Sequence, residues 1–452
     1  MPFCCVKRFI KNPQNLFGPL VRIFEPGGKS RSVFLLPFAV FLLALVSCTG
    51  GTGNDGADSG DVNSGVSSPA GVHYVQCDAV PGGDGTSWAR AFSHPQDALD
   101  IALPGDQVWV AAGTYGLRDF EDRNVLVLVP GVSVLGGFTG HETGIEMRSP
   151  ETFLTTLDGQ GSAYHVVLAI GADGAVLDGF TITGGNATGY MLETARGGTS
   201  DGGGVFCAFS SLEINRCRFL ENRASSKGGA IYIEESRPVL SDSIFEGNSS
   251  IIFGGALNIV ASSPDIINCI FQDNKSETSG GAVNILESQT SFVNSVFSGN
   301  SSFGAGGAVL AKSSEAIFSN CTFNGNRCEK FSGGAVFLNQ GRARLTNSIL
   351  WGDLSADSSE IALHEGGEAQ ILYSIVQGGF EGTGNLGLPP EFIQQGAWDE
   401  DGHWIEGDYR LAENSPAIDS GTEIGAPNFD LAGTPRPQEM AHDRGAFEHK
   451  GE

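Results

Sequence analysis

Basic residues are scarce in this chain. Its 452 residues include 26 Lys and Arg against 52 Asp and Glu, a formal charge of −26. Nucleic acid is excluded as a partner, because phosphate backbones are bound through cationic surfaces. Charged residues of both signs make up only 17%, which suits a sheet-rich secreted body. Outward acids serve solubility and discourage sheet-to-sheet aggregation. No stretch sustains a 3.6-residue apolar period, so the fold is not built from amphipathic helices. No Cys-x-x-Cys occurs, which argues against zinc. The Gly pairs follow strand logic and do not open a helix, which argues against a phosphate-binding loop.

What the chain does have is a period. Phe-x-x-Asn is written five times, as Phe219/Asn222, Phe245/Asn248, Phe271/Asn274, Phe297/Asn300 and Phe323/Asn326, each Phe 26 residues after the last. A Gly-Gly-Ala-aliphatic stretch follows each copy, at Gly228, Gly254, Gly280, Gly306 and Gly333. Beyond it the apolar residues alternate, as in Ile231/Ile233 and Leu257/Ile259, which is the period of a strand with one buried face. A unit of this length is too short for a propeller blade and fits one winding of a parallel β-helix. The expected fold is therefore all-β: a single-stranded, right-handed parallel β-helix of about 26-residue coils.

In such a coil, like residues pile up at intervals of roughly 4.8 Å. The five Phe would stack inside, continued by Leu350. Cys217, Ser243, Cys269, Ser295, Cys321 and Ser348 would form a column of small side chains. Successive Cys in it stand two coils, roughly 9–10 Å, apart. That exceeds the Cα separation a disulfide spans, so free buried thiols are expected. Asn222 to Asn326 would form a third column at a turn, tolerating left-handed backbone and bonding the adjacent coil.

Before the repeats, Lys7, Arg8, Lys11, Arg22, Lys29 and Arg31 lead into the apolar run Val33–Val46 and then Leu45-Val46-Ser47-Cys48. This resembles a bacterial lipobox. The resemblance implies that residues 1–47 are a signal segment, that Cys48 is lipidated, and that the lipid is the membrane attachment. Thr49 after the Cys favours an outer-membrane destination. Residues 48–71 are Gly, Ser, Asn and Asp with almost no apolar content, a flexible tether. Folded sequence is expected over 72–376, with regular repeats at 203–352, and an irregular closing cap at 377–452. Ser93 would cap a short helix through Ala102 that plugs the first coil.

The Phe-x-x-Asn and Gly-Gly-Ala pairing resembles the repeat of bacterial polymorphic outer-membrane proteins. The opening Tyr74–Tyr115 and the close Asp408–Glu448 resemble secreted, pectin-lyase-like β-helix proteins with a choice-of-anchor type C-terminal region. Unlike the former, no translocator barrel is expected after the closing motifs, and Cys48 would replace that anchor.

The resemblance carries no specific activity. Enzymes of this fold cleave polysaccharides with calcium-binding acids and a basic proton acceptor. Among Asp242, Asn268, Asn294 and Asn320, which share one coil position, only the first is acidic. Glu234-Glu235 with Arg237 is the best local cluster and reads as a solvated turn. Asp419, Asp430 and Asp443 read as turn-holding residues, with calcium as the alternative. No other cofactor or metal is expected.

The leading expectation is a monomeric, non-catalytic surface lipoprotein that recognises a glycan or a host or cell-surface protein. Its binding loop would be Ala187–Gly202, with Tyr190, Glu193, Arg196 and Asp201. The alternative is a polysaccharide lyase or glycoside hydrolase with that loop walling a groove.

Overall fold

The computed structural model describes residues 21–24, 30–33, 71–118, 123–189 and 198–451. Cys48, the tether and Tyr190, Glu193 and Arg196 lie outside them. The chain forms two units. In the first, Val21–Phe24 pairs antiparallel with Ser30–Val33. The described residues of the second, from Gly71 onward, form a parallel β-helix and the segment that closes it.

One winding shows the plan. Ile231–Glu234 lies on a first face, Val239–Ser241 on a second and Ile244–Glu246 on a third; Ser249–Ser250 follows, and the Gly-Gly pair returns the chain to the first face. Every strand pairs in parallel with its equivalents in the coils before and after, so the three faces are sheets of nine, eleven and fifteen strands. The pairing register is the sequence period itself: Phe219 is opposite Phe245, and Phe245 opposite Phe271.

The interior follows from that register. The rings of Phe219, Phe245, Phe271, Phe297 and Phe323 stack 4.6–4.8 Å apart and within 7° of parallel. Leu350 sits next in the column. Phe292 and Phe318 form a second stack at 5.0 Å, edge-on to the first. Offset and edge contacts of this kind add about 0.5–1.5 kcal/mol per pair beyond burial.

Three corners share one device. A residue in the left-handed region turns the chain, and the small polar residue after it reaches along the axis. At the first corner these are Glu235 (φ 45°) and Ser236; at the second, Asp242 (φ 49°) and Ser243; at the third, Gly247 (φ 65°) and Asn248. The left-handed backbone therefore falls one residue before the Asn column and not on it, which corrects the sequence expectation. The N–H of each turning residue donates to the next coil, as Glu235 to Val260 O at 3.2 Å and Asp242 to Ile267 O at 3.0 Å. These bonds help offset the roughly 1–2 kcal/mol cost of a left-handed non-glycine residue.

The polar columns satisfy what the corners leave open. Asn248 N–H and Nδ2 both donate to Asn274 Oδ1, at 3.1 and 3.0 Å, and Nδ2 also donates to Phe219 O at 2.9 Å. Cys217 N–H donates to Ser243 Oγ at 3.1 Å. Ser210, Ser236, Ser262, Ser288 and Ser314 make the matching ladder at the first corner, with N–H to Oγ distances of 3.0–3.1 Å. That 26-residue serine spacing is present in the sequence and was not among its expectations.

The Gly-Gly pair needs both glycines for different reasons. Gly280 takes φ 64°. A Cβ on Gly281 would collide with the carbonyl of Gly307 in the next coil. Gly281→Ala is expected to cost about 3 kcal/mol, because neither backbone can retreat without breaking the ladder. Gly378→Ala, where a Cβ meets nothing (φ 80°), is expected to cost about 1 kcal/mol of backbone strain. Thermal melting of the two variants tests the contrast.

The helix is shorter than expected, Pro95–Leu99, and its N-cap is His94, not Ser93. His94 Nδ1 accepts the Gln96 N–H at 3.1 Å, and Pro95, lacking an N–H, fits the first turn. Ala98 and Leu99 are buried against the first coils. Among the described residues no helix is long and apolar enough to cross a membrane.

Residues 377–452 do two things. Asn385 and Leu386 close the end of the coil: Ser374 N–H donates to Asn385 Oδ1 at 3.1 Å and Val376 N–H to Leu386 O at 3.0 Å. The remainder runs back along the outside of the third face as a strap. Asn294 Nδ2 donates to Phe429 O at 2.6 Å, Asn320 Nδ2 to Asp443 O at 3.0 Å and Asn347 Nδ2 to Thr422 O at 2.8 Å. An outward apolar column, Val296, Ile349 and Ile375, is buried beneath it.

Candidate functional site

Of the four loop residues singled out from sequence, Asp201 is described. The loop is pinched at its base, where Gly189 N–H donates to Thr199 O at 2.9 Å. Asp201 Oδ1 accepts the Lys227 N–H at 3.1 Å, and burial raises the carboxyl above its ordinary value. Asp201 therefore ties the loop to the next coil.

The strap leaves the earlier part of the third face open. A cleft of about 490 Å³ lies there. Pro150, Leu154, Phe180 and Ile244 supply its apolar surface, and Arg216, Arg218 and Asp242 its polar one. Arg216 sits at a corner with φ 49°. Its Nε donates to Asp178 Oδ1 at 3.0 Å, and Arg148 Nη2 donates to the same oxygen at 2.7 Å. The Asp178 hydrogen bond raises the Arg216 guanidinium above its usual value. Arg218 lies 3.7 Å from Glu246 and remains half exposed. The cleft thus pairs an apolar floor with one guanidinium held by Asp178 and a second, half-exposed one on Arg218, the combination that orients a ligand with one apolar and one polar edge.

A charged strip continues from it. Gln272 Nε2 donates to Glu246 Oε1 at 3.3 Å. Burial and then Glu246 raise the Asp273 carboxyl. At the strap's hairpin, Asp399, Asp401 and His403 bring one ligand atom each within 4.8 Å of one another. Asp399 Oδ1 accepts the N–H groups of Asp401 and His403, at 3.0 and 2.8 Å, so it shapes the turn.

Asp419, Asp430 and Asp443 all accept backbone N–H groups: Asp419 from Met440 and Ala441, Asp430 from Thr434 and Glu448, Asp443 from Asp419 and His449, at 2.6–2.9 Å. Glu235 makes a first-corner turn, and Glu234 beside it is half-buried. Cys217, Cys269 and Cys321 are buried free thiols, and burial pushes each up to about 12. Cys207 and Cys328 are likewise buried and Cys77 is exposed, all unbridged.

Residues 216–234 match the model of the Chlamydia polymorphic membrane protein repeat. Comparison with curated protein sequences returns no match. Among solved structures, pectate lyase Pel9A is similar at 12% identity, covering 84% of this chain and 97% of that one, with a TM-score of 0.44. Alginate lyase from Paenibacillus sp. str. FPU-7 is similar at 11% identity over 66% of this chain and 99% of that one, TM-score 0.33. A rhamnogalacturonan lyase is similar at 12% identity over 76% and 97%, TM-score 0.29.

Proposed function

We propose that this chain is a non-catalytic recognition protein displayed on a bacterial surface. A lipid on Cys48 would hold it at the outer membrane, with residues 49–71 as the leash. The observation that carries this reading is the interrupted cover of the third face. The strap shields the later coils, while the earlier ones present the Arg216/Arg218 cleft. The repeat match at 216–234 falls on that open stretch and supports a surface role.

The test is a glycan and extracellular-matrix array probed with residues 72–452, with and without calcium. Arg216→Ala and Arg218→Ala are each expected to weaken the bound ligand about tenfold, the scale of a lost charge-assisted hydrogen bond. Unchanged binding in both variants removes the cleft from the proposal. New reducing or unsaturated ends on any bound polysaccharide replace it with a hydrolase or lyase.

A further inference from the structure

One open strand of the third face is built like a strand the strap covers. In the covered strand Val296–Ser298, three positions receive the strap. Val296 is buried against Tyr409 and Ala446. Ser298 Oγ donates to Glu406 Oε2 at 2.8 Å. Gly299 and Gly325 seat the Trp404 ring, which a Cβ on either would displace. Trp404 Nε1 in turn donates to Glu406 at 2.7 Å.

Two coils earlier the same positions are Ile244, Glu246 and Gly247, in the same parallel register through Ile270 and Gln272. Ile244 lines the 490 Å³ cleft, and Glu246 is 39% exposed. A Cβ on Gly247 would meet only the Glu221 Cγ, at 3.5 Å. The sequence repeats the seat as well: Gly247-Asn-Ser-Ser-Ile251 and Gly299-Asn-Ser-Ser-Phe303, with Asp273-Asn-Lys-Ser-Glu277 between them. The first glycine of the Trp404 seat therefore recurs two coils earlier at Gly247, with Asp273 standing beside it in the place of Gly325.

We infer that Ile244–Gly247 is a docking site for an extended polypeptide segment of a partner, and that the segment follows the strap's pattern with one charge reversed. An aromatic ring lies on Gly247, a basic residue two positions later meets Glu246, and an apolar or aromatic residue three beyond that enters the cleft over Ile244. The strap places Trp404, Glu406 and Tyr409 at this spacing. The reversal follows from the site: Ser298 donates to a carboxylate, whereas the part-exposed Glu246 carboxylate, beside Gln272 and Arg218, can only accept. This rests on the surface-recognition reading and gives its partner a chemistry.

The test uses the full chain and two synthetic peptides of residues 402–411, one unmodified and one with Glu406→Lys. By fluorescence anisotropy the Lys peptide is expected to bind at least tenfold more tightly. Glu246→Lys should invert that preference. Gly247→Leu should weaken the Lys peptide at least tenfold, with circular dichroism showing the coil intact. Equal binding of the two peptides, an unaltered preference in Glu246→Lys, or binding that survives Gly247→Leu overturns the site. Neither peptide binding, while an array glycan is lost in Gly247→Leu, also overturns it and assigns the seat to carbohydrate. Neither peptide binding, while an array ligand still depends on Arg216 and Arg218, removes this inference and leaves the recognition reading standing.

Discussion

Asn274→Asp is expected to destabilise the β-helix by about 4 kcal/mol, although it changes a single nitrogen to oxygen. Asn274 is wholly buried in the middle of the asparagine column. Its Nδ2 donates to Phe245 O at 2.8 Å and to Asn300 Oδ1 at 3.0 Å. A carboxylate there would set an anionic oxygen against two acceptors, out of reach of water. The loss should shrink as pH falls toward 4, because the buried acid would hold its proton above the unfolded value. Equilibrium denaturation at pH 7 and pH 4.5 measures both effects, and a variant as stable as the parent at pH 7 would show that the column does not close as described.

The chain makes the same exchange at the column's end. Asp353 takes the place of the next asparagine, and Asn326 N–H and Nδ2 both donate to its Oδ1 at 2.7 Å. The remaining oxygen, Oδ2, is buried without a hydrogen-bond partner, as is Oε2 of Glu360, whose Oε1 accepts the Asp353 N–H at 3.3 Å. Burial pushes Asp353 up to about 6, and burial together with Asp353 raises Glu360 as well. A folded-state value above the unfolded one means stability that is complete below about pH 4 and declines as pH rises toward 6. Asp353→Asn should therefore gain on the order of 1–3 kcal/mol above pH 6, gain little at pH 4, and flatten the slope between.

The second large effect concerns the strap. Arg436 and Glu448 form an ion pair at 2.6 Å with side chains 0% and 1% exposed. Arg436 Nη2 also donates to Gly445 O at 3.0 Å, and Glu448 Oε1 accepts the Gln438 N–H at 3.1 Å. Removing either member leaves the other charged and buried, so Glu448→Ala or Arg436→Met should each cost about 3–5 kcal/mol. The double variant Arg436→Met/Glu448→Met should cost less than either single change. The damage should be local, because each coil of a solenoid leans mainly on its neighbours. Hydrogen exchange should rise across 388–449 and at the covered strand Val296–Ser298, and the fluorescence of Trp398 and Trp404 should shift toward that of solvated indole. The coils around Phe219–Phe271 should keep their protection. Uniform loss of protection along the whole chain would mean that the strap and coil fold as one unit.

These residues divide by how they were legible. The Phe stack and the Cys/Ser column could be read because each contact joins residues one period apart, and strand pairing converts a constant spacing into a constant neighbour. The serine ladder at the first corner carried the same signal. So did the apolar residue just before Phe245, Phe271, Phe297 and Leu350, namely Ile244, Ile270, Val296 and Ile349, which points outward and marks a face awaiting a cover. The left-handed residue was misplaced by one position because Asn favours both left-handed backbone and ladder bonding, and composition does not separate the two. The pairing of Asp353 with Glu360 was missed because Glu360 stands where the other coils carry the alanine of Gly-Gly-Ala, in a coil whose spacing departs from 26 residues and whose Gly-Gly-Ala motif is lost.

From its sequence alone this protein is fixed as a coil of known pitch with known columns inside, since repetition leaves each residue only one class of neighbour. Which face is covered, where the cover stops, and which carboxylates end up sharing a dry pocket were decided in three dimensions. The strap's bonds to Asn294, Asn320 and Asn347 join residues 75 to 135 positions apart, and their partners repeat nowhere in the chain.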